Sequence, residues 1–418
     1  MLGLLVVCAP TAAHAQTVLT WTQIRDRFQT TNPTLQAGRI GVDEAKAVEI
    51  TAFLRPNPQW STTVDQIGNT DQGTPFSAAT LGTTVSYLHE REHKRELRRD
   101  SAAGATTVTA SNQADLERTL LFTVRSAFVQ VLQAKAFLTL AEENLRGYDD
   151  VLRLSRDRFD AGDIAQIDLD RLILQRVTYE SDVQTARVNL RTAKIQLLRL
   201  LDDQATPVDQ FDAIGPYDFA PPARSLEDVR AAAINERPDL RAALQAIAKA
   251  QTDHRLAMAN GSTDPTIVVD AGFPAISQVY QSFQPPLREF VGVGVTVPLR
   301  FFDRNQGEKL RTSLDVTRAE KLAEAERMQV FGDVDTAYAS VTSAVALLQP
   351  YLATYLDQAA RVRDTMTFSY ERGGASLIEF LQAQQEYRSV RLSYVNLIAA
   401  YLNAAAQLNL AVGQEVIP

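Results

Sequence analysis

The chain is poor in the residues that build disulfide frameworks and soft-metal sites: its 418 residues include one cysteine, Cys8, and four histidines. Cys8 lies in an N-terminal leader, so the mature chain forms no disulfides. After residue 16 no apolar run approaches the ~20 residues of a spanning helix. That excludes a helical membrane span but not spanning strands, whose signature is much weaker. Basic runs are missing beyond His89–Arg99, and the net charge is −8, which argues against nucleic acid as a main partner. No nucleophile motif and no phosphate-cradling glycine loop occurs. The composition is otherwise that of folded protein, 45% hydrophobic and 22% charged.

The leader is read from Leu2–Pro10, an apolar core, and from Ala13-His14-Ala15 before Gln16, an A-x-A cleavage pattern. Residues 1–15 are a signal peptide for export. Leu5-Val-Val-Cys8 also permits a lipoprotein reading, although Val7 is large where a small residue is usual.

The most informative feature that is present is an internal repeat. Residues 121–134 align without gaps on 331–344, so that Val124, Ala127, Phe128, Val131 and Ala134 fall on Val334, Ala337, Tyr338, Val341 and Ala344. Residues 158–168 answer 369–379, and Asn32-Pro-Thr-Leu answers Arg237-Pro-Asp-Leu. The period is too long for a solenoid and marks two copies of a domain-sized unit. The copies span 16–210 and 225–418, joined by a linker at 211–224 with Pro216, Pro221 and Pro222.

Each copy is expected to read helix, strand, strand, very long helix, turn, long helix. Asn32-Pro33 opens a helix with Asn as cap and Pro at the first position, and Glu236 onward does the same. Strands are expected near 58–68, 79–88, 265–274 and 290–299; in the last, Val291, Val293, Val295 and Val297 alternate with Gly292, Gly294 and Thr296. Their length suits either a tilted strand crossing a bilayer or a half-buried soluble hairpin. Helical hairpins are expected over 89–203 and 305–412. Phe331, Val334, Tyr338, Val341, Val345, Leu348 and Leu352 recur as a heptad seam, and helices of about 65–70 residues would be about 100 Å long. Pro350 should bend its helix or mark a change of packing partner.

His89-Glu-Arg-Glu-His93 matches the zinc-protease pattern HExxH. It sits where a strand becomes a helix, beside Lys94, Arg95, Arg98 and Arg99, which would repel a dication, so a charged collar is the better reading. The two turns carry more functional signal. Gly162 and Gly373-Gly374 close the long helices, and Asp168 and Glu379 follow at equivalent places. If copies assemble around an axis, these carboxylates form a negative ring at a pore mouth. Asp163 against Gly374, Asp168 against Glu379 and Arg171 against Gln382 have diverged, so that mouth is expected to be threefold rather than sixfold.

In this order, Asn32-Pro-x-Leu, Phe159-x-Ala-Gly-x-x-x-x-x-Asp168, Asn235-Glu-Arg-Pro-Asp-Leu240, Val297-Pro-Leu-x-x-Phe-Asp-Arg-Asn-Gln-Gly307 and Tyr370-x-x-Gly-x-x-Ser376 resemble the TolC-type outer-membrane efflux family over residues 16–418. The Phe302–Gly307 stretch is most similar to its CzcC-like cation-efflux branch. The resemblance implies an α+β membrane protein acting as a homotrimer. Four strands per chain would close a twelve-stranded β-barrel in outer-membrane lipid, continued by a long periplasmic α-helical barrel. It implies a passive exit duct, not an enzyme, with no cofactor and no resident metal. Its partners would be a periplasmic adaptor (membrane fusion) protein and an inner-membrane pump of RND type, with heavy-metal cations as cargo. Asp168, Glu379 and Gln382 would constrict the pore; Arg158, Gly162, Asp163, Arg372, Gly373 and Gly374 would meet the adaptor, the hairpins splaying to open. Drug efflux or type I protein secretion stays open within that class, and a periplasmic coiled-coil adaptor outside it.

Overall fold

The computed structural model describes residues 17–65, 80–273 and 289–417. The leader with Cys8, and the polar loops expected near 68–79 and 275–289 apart from Glu289, lie outside the described residues. The chain forms two compact units, and each takes segments from both copies of the repeat. One comprises the chain up to Arg39, Gln113–Pro238 and Arg327–Pro418; the other comprises Ile40–Asn112 and Asp239–Glu326.

The second unit holds a four-stranded antiparallel sheet. Its strands are β2 (Gln59–Asp65), β3 (Thr80–Leu88), β5 (Thr266–Phe273) and β6 (Phe290–Thr296), in that spatial order. The register sets Trp60, Val85, Val269 and Val293 in one row across the sheet, and puts Ser61, Thr84, Asp270 and Gly292 in the next. Because side chains alternate, one face is largely apolar, with Thr62 and Thr83 among its Val, Leu, Ile and Trp residues, and the other is mostly Gly, Ser and Thr with Leu88, Val268, Asp270 and Phe290. The apolar face is uncovered: Trp60 is 75% exposed, Val291 and Val293 76% each. Leaving nine such large side chains in water costs roughly 10 kcal/mol at about 1 kcal/mol per half-exposed group, comparable to the whole stability of a domain. An ordinary soluble hairpin does not do this.

Below the sheet, the turn from β3 into helix α3 (Lys94–Asp160) is tied by ionic contacts. Lys94 is buried and donates to Asp264 Oδ2 at 2.6 Å and to the Ser262 carbonyl at 3.0 Å. Arg98 pairs with Glu90 and caps the end of helix α2 (Pro33–Ala52) through the Ala52 carbonyl at 3.3 Å. Within this unit α3 lies close to α6 (Pro238–Asn260), where a Cβ on Gly104 would stand 3.2 Å from Lys249 Cβ.

The first unit carries the other sheet, a parallel pair of β1 (Thr17–Thr20) and β4 (Phe211–Ile214). Each strand precedes a short helix that sequence periodicity had not separated: α1 (Trp21–Thr31) after β1, and α5 (Leu226–Glu236) after β4. Both open on capping boxes, Thr20 with Gln23 and Ser225 with Asp228. Both stop at an extended residue before proline, Asn32 at ψ 120° and Arg237 at ψ 122°, as the ring of the following proline requires. Asn32 also caps α2, its Oδ1 accepting from the Leu35 N–H at 3.1 Å. Ile24, Phe28, Val124, Phe128, Val131, Leu197 and Phe211 form a buried core around these elements.

The long helices are α3, α4 (Gln166–Leu200), α7 (Gln306–Pro350), α8 (Leu356–Glu371) and α9 (Leu377–Val412). Helix α3 alone has 67 residues, about 100 Å at 1.5 Å per residue. It starts at Lys94 rather than His89, because Glu92 and His93 adopt left-handed φ of 55° and 53°. Pro350 neither ends nor simply bends its helix. A π-helical turn, Tyr351–Tyr355, follows and hands over to α8. Proline lacks the N–H and its ring crowds the carbonyl one turn back, so the ladder is re-formed with wider spacing. The extra residue shifts the seam: Val341, Val345 and Leu348 are buried, whereas Leu352 is exposed.

Candidate functional site: the two hairpin tips

Both hairpins turn in the same way, for a backbone reason. At the first tip Gly162 has φ 85°, its N–H bonds the Phe159 carbonyl at 2.9 Å, and the Asp163 N–H bonds the Arg158 carbonyl at 2.8 Å. At the second, Gly373 has φ 75°, with the matching bonds Gly373 to Tyr370 at 3.0 Å and Gly374 to Ser369 at 2.7 Å. Each is a Schellman motif, which satisfies the last free carbonyls of the helix and needs a left-handed residue. The glycines are therefore explained by the turns themselves.

The residues that follow differ between the tips. Ser376 and Glu379 form a capping box: Ser376 Oγ accepts from the Glu379 N–H at 3.3 Å, and Glu379 Oε2 accepts from the Ser376 N–H and hydroxyl at 2.8 Å each. The Ser376 N–H, then its hydroxyl, holds the Glu379 carboxyl below the usual glutamate range. Ala165 stands in the Ser376 position at the first tip and offers no side-chain cap. Asp168 there lies 3.8 Å from Arg171, a charge that Gln382 replaces in the second copy. Gln382 is exposed and donates to Glu386 Oε1 at 3.0 Å. Asp168 is thus compensated by Arg171, whereas Glu379 has an amide, Gln382, at the equivalent place and Glu386 adds a second exposed carboxylate. The sequence marks Glu386 only as lying seven residues, two helical turns, beyond Glu379.

Arg158 bridges the two hairpins. Its Nη1 donates to the Tyr370 carbonyl at 2.6 Å, and its guanidinium lies 5.3 Å from the Tyr370 ring. Arg372 turns away to cover Phe368 at 3.6 Å. Asp163 and Gly374 are exposed. Beneath them a buried cluster joins the hairpins through Tyr148, Leu172, Tyr179, Tyr370 and Phe380. Tyr370 stacks on Phe380 at 4.9 Å and Tyr148 on Tyr179 at 4.6 Å, pairings that no helical periodicity announces. Burial, reinforced by Tyr179 and Tyr370, pushes the Tyr148 phenol far up, and it donates to the Leu172 carbonyl at 3.0 Å.

The HExxH stretch is not helical, so its histidines do not share a helix face one turn apart. His93 is 88% exposed and lies 4.0 Å from Glu96. Among the described residues no three His, Cys, Asp or Glu side chains are grouped to hold a metal.

Long helical hairpins closed by paired Schellman tips accompany a small open sheet with one largely apolar face. The chain is similar to the TolC-type outer-membrane efflux proteins, and the family model described as "Outer membrane efflux protein" matches residues 229–414. This is a family of channel proteins rather than enzymes. Over 387 residues the chain is 23% identical to the cobalt-zinc-cadmium resistance protein CzcC of Cupriavidus metallidurans, covering 92% of this chain and 87% of that protein. It is 24% identical to the pyoverdine export outer membrane protein OpmQ of Pseudomonas aeruginosa, covering 84% of this chain and 72% of OpmQ. In fold it is similar to the outer-membrane channel OprN, with TM-score 0.77 and 16% identity over 95% of this chain and 91% of OprN. It is equally similar to CusC, with TM-score 0.77 and 17% identity over 94% of this chain and 92% of CusC.

Proposed function

We propose that the protein is the passive outer-membrane exit duct of a tripartite efflux system, acting as a homotrimer and passing heavy-metal cations. The carrying observation is the four-stranded sheet, whose apolar face is uncovered and whose edge strands β2 and β6 each lack a second neighbour among the described residues. In lipid each unpaired backbone group costs several kcal/mol, so an open sheet must close. Three copies, each joining β6 to β2 of the next, give a closed ring of twelve strands through a head-to-tail interface. The apolar face then meets lipid, and the face with Ser61, Thr84, Asp270 and Gly292 lines the lumen.

The helical hairpins extend into the periplasm. There the tips, with Arg158, Gly162, Asp163, Arg372, Gly373 and Gly374, meet a periplasmic adaptor and through it an inner-membrane pump of RND type. Glu379 and Gln382 constrict the mouth with Asp168, and because Arg171 compensates Asp168 the negative ring is threefold. The pump supplies the driving force and the cargo choice. Support for cations comes from the likeness to CzcC. The likeness to OpmQ favours a second reading, in which the cargo is an organic metal chelator.

The test is the oligomeric state in detergent together with a deletion strain. A trimer is expected, with loss of export-dependent resistance to cobalt, zinc or cadmium. A monomer would sink the channel reading; unchanged metal resistance with loss of chelator export would sink the cation reading alone.

A further inference from the structure

The apolar stripe of β6 does not end with the strand. Val291, Val293 and Val295 continue at the same parity into Val297, Leu299 and Phe301, all of them exposed, and Phe302 follows at 92% exposure. From Val291 to Leu299 an extended chain rises at most about 26 Å at ~3.3 Å per residue, or about 20 Å once tilted, most of the ~25 Å apolar band on an outer-membrane barrel. Such bands end in aromatic girdles at the water interface.

The turn that carries these side chains is held rigidly. Asn305, at φ 62°, is fixed at both its amides: its N–H donates to Asp303 Oδ1 at 2.8 Å, and its Nδ2 donates to the Ala257 carbonyl on α6 at 2.8 Å. Gln306 Oε1 accepts from the Arg304 N–H at 2.8 Å, and Gln306 Nε2 donates to the Phe302 carbonyl at 3.2 Å. The side chains of Asp303, Asn305 and Gln306 are spent on fixing the turn, and Leu299, Phe301 and Phe302 stay exposed. Arg300 and Arg304 flank them, and neither guanidinium has a hydrogen bond or ion pair among the described residues.

We propose that Leu299–Arg304 is a membrane-interface anchor, with Phe301 and Phe302 in the periplasmic leaflet and Arg300 and Arg304 on the phosphates of anionic phospholipid. It rests on the outer-membrane reading above. Continuity with the lipid-facing stripe names the occupant, and the guanidiniums of Arg300 and Arg304, unpaired among the described residues, name its headgroup charge. A stretch that resembles the cation-efflux branch thereby acquires a role in setting membrane depth.

The test uses trimers reconstituted into phosphatidylcholine bilayers containing phosphatidylglycerol, with acyl chains brominated near the headgroup. In Trp21→Phe protein, Trp60 reports on insertion of the sheet. In Trp21→Phe/Trp60→Phe protein, Phe302→Trp reports on the turn. Quenching of both indoles is expected. Quenching of Trp60 without that of the introduced indole overturns the anchor and leaves the channel reading intact; loss of Trp60 quenching overturns the channel reading itself. The Arg300→Gln/Arg304→Gln protein should lose preference for spin-labelled phosphatidylglycerol over phosphatidylcholine, about fivefold for each guanidinium removed. An unchanged preference overturns the phosphate contact.

Discussion

The side chain of Arg158, near the end of α3, donates to the main-chain carbonyl of Tyr370, near the end of α8, at 2.6 Å. That carbonyl already accepts the Gly373 N–H of its own turn, and it lies at the negative end of a helix. One cation thus fastens the first hairpin to the turn of the second.

If the hairpins splay to open the mouth, this contact must break. An accessible charge-assisted bond of this kind is worth about 1 kcal/mol, so Arg158→Ala should shift the closed-to-open ratio about fivefold. Single-channel recording in planar bilayers should find a higher open fraction. Arg158→Lys should lie between, since it keeps the charge but not the planar fork. Unaltered gating in Arg158→Ala would remove Arg158 from the latch.

The turn glycines are needed for conformation, not for space. Nothing lies within 4 Å of a Cβ built on Gly162. Gly162→Ala should therefore cost about 1 kcal/mol of local stability through its positive φ alone, and Gly162→Asn less. Hydrogen exchange at the Asp163 amide is the readout. Equal protection in all three proteins would show that the turn does not hold its left-handed residue.

Acid should loosen the first unit at Asp212 on β4. Burial opposes its ionisation, but the Lys135 hydrogen bond at 2.7 Å and the Lys194 charge at 3.3 Å prevail and hold the pKa below the usual range. A carboxyl depressed in the folded state contributes stability above its unfolded pKa, near 3.9, and loses it as pH falls through the folded value. Thermal melting in detergent should be flat in this respect from pH 7 to about 5 and decline below about 4. Asp212→Asn should flatten that acid limb and lower stability at neutral pH by roughly 1–2 kcal/mol. A steep, unchanged acid limb in Asp212→Asn would assign the loss to other groups.

Edge closure can be trapped covalently. Within one chain β2 and β6 are separated by β3 and β5, about 14 Å apart at ~4.8 Å per strand, too far for a disulfide. Cysteines scanned along Gln59–Val64 against Val291–Thr296 should give oxidant-dependent dimers and trimers on denaturing gels at the paired register. Only monomers at every combination would argue against sheet-to-sheet closure.

Much of this was open to inspection in the sequence, because it depends on neighbours along the chain. Alternation at 291–297 set the two faces of β6, and Gly162 and Gly373 marked turns that only a left-handed residue closes. Asn32-Pro33 marks a helix start, but the start expected at Glu236 falls at Pro238, because Glu236 ends α5; eleven residues give little periodicity, so neither α1 nor α5 is legible in the sequence. His89–His93 carried a pattern whose meaning depends on a helix, and the left-handed Glu92 and His93 deny it one. The heptad seam lost its phase at Leu352, because the π turn after Pro350 answers to three-dimensional packing.

Local rules, namely side-chain parity and turn stereochemistry, determined strands and hairpin turns from the residues alone. Only tertiary structure decided which charges survive at the tips. Glu379 is held by Ser376, Asp168 stands beside Arg171, and Arg158 reaches Tyr370 across 212 positions of sequence. Such pairings depend on distances between separate helices, and no periodicity within one helix encodes them.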